Sequence, residues 1–230
     1  MGDEGGRPEP AALGLRERKK RETRRRIADI ATGLFLMRGF DNVTVADVAR
    51  AADVSVNTVF NYFRTKEDLF FDRQGEHIEQ AARDFRDRLP GEGVVALFRR
   101  RFLEGLDARA YRTGFHEGVE QWVRTVHDSP ALTARQREIG RQAQEVLAGL
   151  LAEETGAGPD DPTPRAAAAM IFAAQSTLIE EIAERKRAGE TLQEMSADVY
   201  AAADRVFTLL ERGLGDYAAA PARPAPPDGK

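Results

Sequence analysis

Apolar positions recur every three or four residues along most of the chain. The breaks between these runs fall at glycine, proline and small polar residues. Ile27, Ile30, Ala31, Leu34 and Phe35 form the first stripe, which predicts a helix from about 17 to 38 that Gly39 ends. Phe40 and Val43 bring the chain back to the same core. Thr44 then caps a short helix carrying Val45, Val48 and Ala49. Ala51-Ala52-Asp53-Val54 makes a compact turn, and Ser55 caps a second short helix, Val56 to Phe63. Thr65 caps a third helix that opens at Lys66-Glu67-Asp68. Its apolar positions Leu69, Phe70, Ile78, Ala81, Ala82, Phe85 and Leu89 predict one long helix up to Pro90-Gly91-Glu92-Gly93. Beyond that break the periodicity predicts helices near 94 to 107, 109 to 127, 130 to 155, 163 to 188 and 191 to 213. Pro130, Gly156 to Pro159 and Gly189 mark their ends. No stretch sustains alternation of period two, and there is no internal repeat, so the expected fold is all-α.

Two short helices joined by a tight turn, with a third helix packed behind them, make a helix-turn-helix, whose second helix suits the DNA major groove. At about 100° per residue Val59 and Phe63 fall on one side of that helix, toward a small core. Asn57, Thr58, Asn61 and Tyr62 fall on the other. These are uncharged hydrogen-bonding groups of a kind that reads base edges and phosphate oxygens, and Val56 at the helix tip suits a thymine methyl. A plain solvated face on a helical hairpin fits the same pattern, since helix-turn-helix shapes also occur in proteins that bind no DNA.

The order of residues separates these readings. Thr44, Val48, Ala49, Ala52, Val54, Ser55, Thr58, Val59, Phe60, Tyr62, Phe63, Lys66 and Leu69 together resemble the DNA-binding domain of the TetR family of bacterial transcriptional regulators. The resemblance covers roughly residues 15 to 70. Asn57 departs from the family's frequent glycine, which bears on base preference, and Arg64 stands where proline is common. The resemblance implies DNA contacts from Thr44, Ser55, Val56, Asn57, Thr58, Phe60, Asn61, Tyr62 and Lys66. It also implies a division of the chain. Residues 15–65 would be a three-helix helix-turn-helix DNA-binding domain and 66–215 a helical ligand-binding and dimerisation domain, while the Gly, Pro and Ala-rich composition of 1–14 and 216–230 predicts a disordered arm and a disordered tail.

Charge agrees with that division. The net charge is -4, yet residues 15–66 hold 12 of the 34 basic and 6 of the 38 acidic residues. That stretch therefore carries +6 and the remainder -10, a basic head on an acidic body. Arg16 to Arg26 (RERKKRETRRR) reads either as a solvated helix turn or as a lead-in along the phosphate backbone; beside a helix-turn-helix the second is favoured. The chain has no cysteine, so disulfides and thiolate metal sites are excluded. The N-terminal residues lack the hydrophobic region of a secretory signal. No apolar run is expected to approach the roughly 20 residues that cross a bilayer. A cytoplasmic protein is expected.

The body offers candidates for an effector pocket in Phe98, Phe102, Tyr111, Phe115, Trp122, Val126 and Phe172, with Gln175, His116 or Gln121 as polar anchors. Aromatic residues at this spacing equally fit plain core. His116-Glu117-x-x-Glu120 lacks the second histidine of a zinc-protease helix, and no phosphate loop, nucleophile elbow or triad appears. No enzyme activity, metal or cofactor is implied. Ala166 to Ala169, Met170, Ala173, Ala174 and Thr177 make a small-residue face, and Leu192, Met195, Val199, Ala202, Val206, Phe207 and Leu210 line the next helix. An internal hairpin explains them. The family resemblance implies instead a homodimer built as a four-helix bundle, with Met170, Ala174, Thr177, Val199, Val206 and Leu210 at its interface. The partners implied are a palindromic double-stranded DNA operator, a small apolar or amphipathic effector and a second copy of the chain. An effector-independent regulator, or a helical enzyme or carrier with a basic head, are the rival readings.

Overall fold

The computed structural model describes residues 14–72, 82–86 and 88–214, and its regular elements there are all helical. The arm expected over 1–14 and the tail expected over 216–230 lie outside the described residues, apart from Gly14. The chain divides into two compact units, one through Asp72 and one from Arg73 onward.

The first unit contains α1 (Leu15–Arg38), α2 (Val45–Ala51), α3 (Val56–Tyr62) and α4 (Lys66–Phe70). Ile27, Ala31 and Phe35 of α1 are wholly buried and form one wall of its core. Val48, Ala49, Val59, Phe63 and Leu69 close the core from the other side. Phe35, Phe40 and Phe70 meet in an aromatic cluster, with the Phe35 and Phe40 rings 4.9 Å apart. Such clusters fix geometry as well as burying area. Leu69 and Phe70 belong to this core, so α4, the first turn of the helix expected from Lys66, packs with the head.

The long helix expected from Lys66 to Leu89 is not continuous. α4 ends at Phe70, and Phe71 caps it with φ -98° and ψ 17°. Leu69, Phe70 and Phe71 are all buried. Three consecutive helical residues span about 200° of arc, too wide for one face, and the break lets all three turn inward. Residues 82–86 are helical again.

The second unit contains α5 (Val94–Asp107), a 3₁₀ turn (Tyr111–Thr113), α6 (Val119–His127), α7 (Pro130–Thr155), α8 (Thr163–Arg187) and α9 (Leu192–Leu214). α8 is central, packing on α5, α6, α7 and α9. Its Ala167, Ala168, Ile171, Ile182 and Ala183 are buried against Phe102, Leu147, Leu151, Met195, Val199 and Phe207. By length and composition α8 is also apolar enough to cross a membrane, an exception to the expectation that no stretch is. Its neighbours cover one stripe, and only 33% of that apolar window is buried, so much of its apolarity is left facing outward.

The helix expected over 109 to 127 is also divided. Gly114 has φ 69° and Gly118 φ 86°, conformations outside the right-handed helix. A side chain at Gly114 would also crowd Ile179, since its Cβ would lie 3.0 Å from that residue's Cγ2. Only α6 remains of the predicted helix, preceded by the 3₁₀ turn.

Candidate nucleic-acid interface and ligand pocket

The head is a run of interlocking caps. Thr44 Oγ1 accepts from the Asp47 N–H at 3.1 Å, and the Thr44 N–H donates to Asp47 Oδ2 at 3.0 Å, a complete capping box. The hydrogen bonds from Thr44 hold the Asp47 carboxyl below its ordinary range. Asp53 makes the turn with φ 52°, and the Val54 N–H returns to the Ala49 carbonyl at 3.0 Å. Ser55 Oγ accepts from the Thr58 N–H at 3.0 Å and lies 2.8 Å from the Thr58 hydroxyl. Thr65 and Asp68 repeat the capping box at α4. Thr44, Ser55 and Thr58 thus hold helix starts in place, whatever else they touch.

This scaffold presents one face of α3. Val59 is buried, while Asn57 and Asn61 are exposed on the other side with Val56 and Phe60, which are 41% and 51% exposed. Exposed apolar groups beside two amides offer both methyl contacts and bidentate hydrogen bonds to a groove. Tyr62 is half-buried. Lys66 is half-buried too, its Nζ 4.1 Å from the centroid of the Phe40 ring. Partial burial lowers its pKa, against the pull of Asp41 and Glu67. Its ammonium rests on an aromatic face.

Of the basic run, Arg18, Lys19, Lys20, Arg21, Arg24, Arg25 and Arg26 are exposed. Arg24 differs in its partners. It donates to the Tyr62 carbonyl at 2.6 Å and to Asp72 at 2.8 Å. Sequence periodicity carries no signal for such a long-range clamp.

In the second unit a cleft of about 610 Å³ lies between α6, α7 and α8. That volume is in the range of small-molecule sites. Of the pocket candidates, Trp122 and Val126 from α6 and Phe172 from α8 line this cleft, joined by Ile179. Phe98, Phe102 and Phe115 do not line it. They are buried in the body's core, where the Phe98 ring lies 6.2 Å from that of Phe172 and Phe102 lies 5.8 Å from Phe207. Gln175, His116, Gln121 and Tyr111 are also outside the lining; the His116 ring instead meets that of exposed Tyr111 at a tilt, with centroids 4.5 Å apart. The polar wall comes from α7: Thr133, Gln136, Arg137, Arg141 and Gln144, with Gly140 among them. Their spacing is a polar stripe at three and four residues on a helix that elsewhere buries Leu147 and Leu151, a signal legible in the sequence.

The interface candidates separate as well. Met170 is 43% exposed, Thr177 is exposed and Ala174 half-buried. Val199 is 2% exposed and belongs to the protomer's own core, so it is not available to a partner. Val206 and Leu210 are half-buried against that core. Leu209, 72% exposed, was not anticipated.

Comparison with known proteins agrees with this architecture. Residues 27–72 match the profile of bacterial regulatory proteins of the tetR family, and residues 106–215 match the MftR C-terminal domain. The regulator TcmR of Streptomyces glaucescens is 29% identical over 160 residues, covering 67% of this chain and 70% of TcmR. The putative mycofactocin biosynthesis transcriptional regulator MftR of Mycobacterium tuberculosis is 35% identical over 63 residues, 27% of this chain and 32% of MftR. Among solved structures, the SmeT–triclosan complex superposes with TM-score 0.57 at 16% identity, covering 91% of this chain and all (100%) of SmeT. NalD of Pseudomonas aeruginosa, the secondary repressor of the MexAB-OprM multidrug efflux pump, gives 0.52 at 20% identity over 85% and 97%. A capped helix-turn-helix on a basic head, joined to an all-helical body, defines a DNA-binding transcriptional regulator rather than an enzyme. The chain belongs to the TetR family.

Proposed function

We propose that this regulator is a homodimeric repressor that holds a palindromic operator and leaves it when a small molecule fills the cleft of the body. The exposed face of α3 carries the proposal: Val56, Asn57, Phe60 and Asn61 project from a helix whose ends are fixed by Ser55 and by the Arg24 clamp. Asn57 and Val56 read bases. Thr44, Ser55, Thr58, Phe60, Asn61, Tyr62 and Lys66 lie along the same contact, with Tyr62 and Lys66 on phosphate. Lys66 leaves the Phe40 ring to do so, exchanging a partly desolvated ammonium for a charge-assisted contact.

A two-fold dimer presents two such helices to successive major grooves, about 34 Å apart. Met170, Ala174 and Thr177 of α8, with Val206, Leu209 and Leu210 of α9, supply the dimer surface. An effector that binds best to the state with mismatched heads draws the population off DNA. SmeT with triclosan and the Bacillus subtilis FadR with stearoyl-CoA show that apolar and amphipathic compounds occupy proteins of this fold. As a regulator of bacterial genes the protein acts in the cytoplasm, where its DNA lies.

The test is selection of bound sequences from random DNA by the full-length protein, followed by titration of the selected duplex against salt. The expected result is an inverted repeat bound with a steep salt dependence. Recovery of no consensus, or of a single asymmetric half-site bound by a monomer, overturns the proposal.

A further inference from the structure

The cleft's chemistry names a class of ligand. Its walls differ in character. α6 and α8 contribute Trp122, Val126, Phe172 and Ile179, with His127, Ser176 and Glu180 as their polar members. α7 contributes amides, a hydroxyl and two arginines, with Ile139 and Ala143 between them. The arginines differ. Arg141 is held by Glu138 at 2.8 Å and by Glu145 on its own helix. Arg137 makes no hydrogen bond or ion pair among the described residues, so its five donors are open to whatever enters the cleft. Glu180, on α8, is the cleft's one carboxylate; it is exposed and well hydrated, so it opposes an anion on the α7 side only weakly.

Gly140 lies one turn beyond Arg137, on the same face. Glycine is among the least favourable residues inside a helix. The two usual structural reasons for it are missing here. Its φ is not positive, and a Cβ built on it meets nothing within 4 Å. The side chain's space is empty and opens into the cleft between α7 and the aromatic wall. A larger residue there would fill room that a flat body lying against Trp122 and Phe172 needs.

We infer that the cleft takes an organic anion with an apolar aromatic or extended body, its acid group on Arg137 and its body over Gly140 against Trp122 and Phe172. The inference rests on the reading of this cleft as the effector site, and it makes Arg137 and Gly140 the residues that set ligand charge and shape.

Trp122 is the chain's single tryptophan, so its emission reports occupancy of this cleft. The probes are 1-anilinonaphthalene-8-sulfonate and N-phenyl-1-naphthylamine, which share an aromatic frame and differ in the sulfonate. Energy transfer from Trp122 to each is followed on the full-length protein. Arg137→Gln should weaken the sulfonate about tenfold and leave the neutral probe unchanged. Gly140→Leu should weaken both. Gly149→Leu is the control: it makes the same exchange in the same helix at an exposed position with open space, and should change neither. Equal effects of Arg137→Gln on both probes, or none, overturn the charge assignment. Equal behaviour of the two leucine variants overturns the role of Gly140. If the sulfonate binds as expected but leaves the selected operator bound, the ligand class stands and the effector reading fails.

Discussion

Arg24 and Tyr62 are tied across the head: the Arg24 Nη1 donates to the Tyr62 carbonyl oxygen at 2.6 Å. This caps the C-terminal end of α3, where carbonyls lack helical partners and positive charge is favoured. The same guanidinium lies 4.6 Å from the Phe63 ring centroid. One arginine of the basic run thus aims the candidate recognition helix, while Lys20 and Arg26 remain exposed on α1. Arg24→Ala should lower the head's stability by about 1 kcal/mol, below the usual range for a charged hydrogen bond because the side chain is partly exposed. Lys20→Ala should leave melting unchanged and reduce the salt slope of DNA binding by roughly one unit. Thermal unfolding and salt titrations check both. Identical behaviour of the two variants would remove the clamp from the account.

Asn57 stands where the resembling family often has glycine, and it is exposed in the first turn of α3. Asn57→Ala should relax preference at one position per half-site, at a cost of roughly 1 to 3 kcal/mol if the contact is bidentate. Lys66→Ala should weaken all sequences alike. Binding measured across single-base operator variants separates the two. Uniform weakening by Asn57→Ala would move that residue to the backbone.

The head was legible because its signals are local. Thr44, Ser55 and Thr65 each announce a helix start within three residues of their partners, and the caps formed where expected. The body was legible in its helices but not in its breaks or its cleft. Phe71 interrupts a run that apolar spacing alone continues, because burial of three successive residues overrides periodicity. Gly114 and Gly118 were visible as residues, yet their positive φ is set by the approach to α8 and by the turn. Phe98, Phe102 and Phe115 went to core and Trp122, Val126 and Phe172 to the cleft. Sequence spacing puts aromatics on a face without saying whether a neighbouring helix covers that face.

Tyr200 has the clearest pH signature. Desolvation first, and then its hydrogen bond to the Asp107 carboxylate, push its phenol up to about 12 from the ordinary 10.0. A raised folded pKa favours the neutral phenol, so the contribution is fully present below pH 10.0 and is lost as pH rises through about 12. Of the four tyrosines, Tyr200 should ionise above the ordinary phenol range in an ultraviolet titration. Tyr200→Phe should remove that late step. A Tyr200→Phe titration indistinguishable from the parent's would place the α5–α9 contact in doubt.

The dimer prediction turns on which apolar residues are free. Ala166, Met170, Ala173 and Thr177 of α8 are exposed at spacings of three and four, a stripe of mostly small residues that permits close helix approach. Met170 at 43% and Leu209 at 72% exposed are its largest apolar neighbours on the two C-terminal helices. Val199 is already buried by its own protomer, so a charge there tests folding and not assembly. Val199→Glu should unfold the body, since an unpaired carboxylate in the core costs several kcal/mol. Met170→Glu places its charge in water in the monomer and buries it only in the dimer. It should therefore keep its helical circular dichroism and melting of the isolated protomer while sedimenting as a monomer. Operator affinity should fall with it, because two linked heads bind at high effective concentration and two free ones do not. A Met170→Glu protein that remains a dimer with full operator affinity would put the interface on another face of the body.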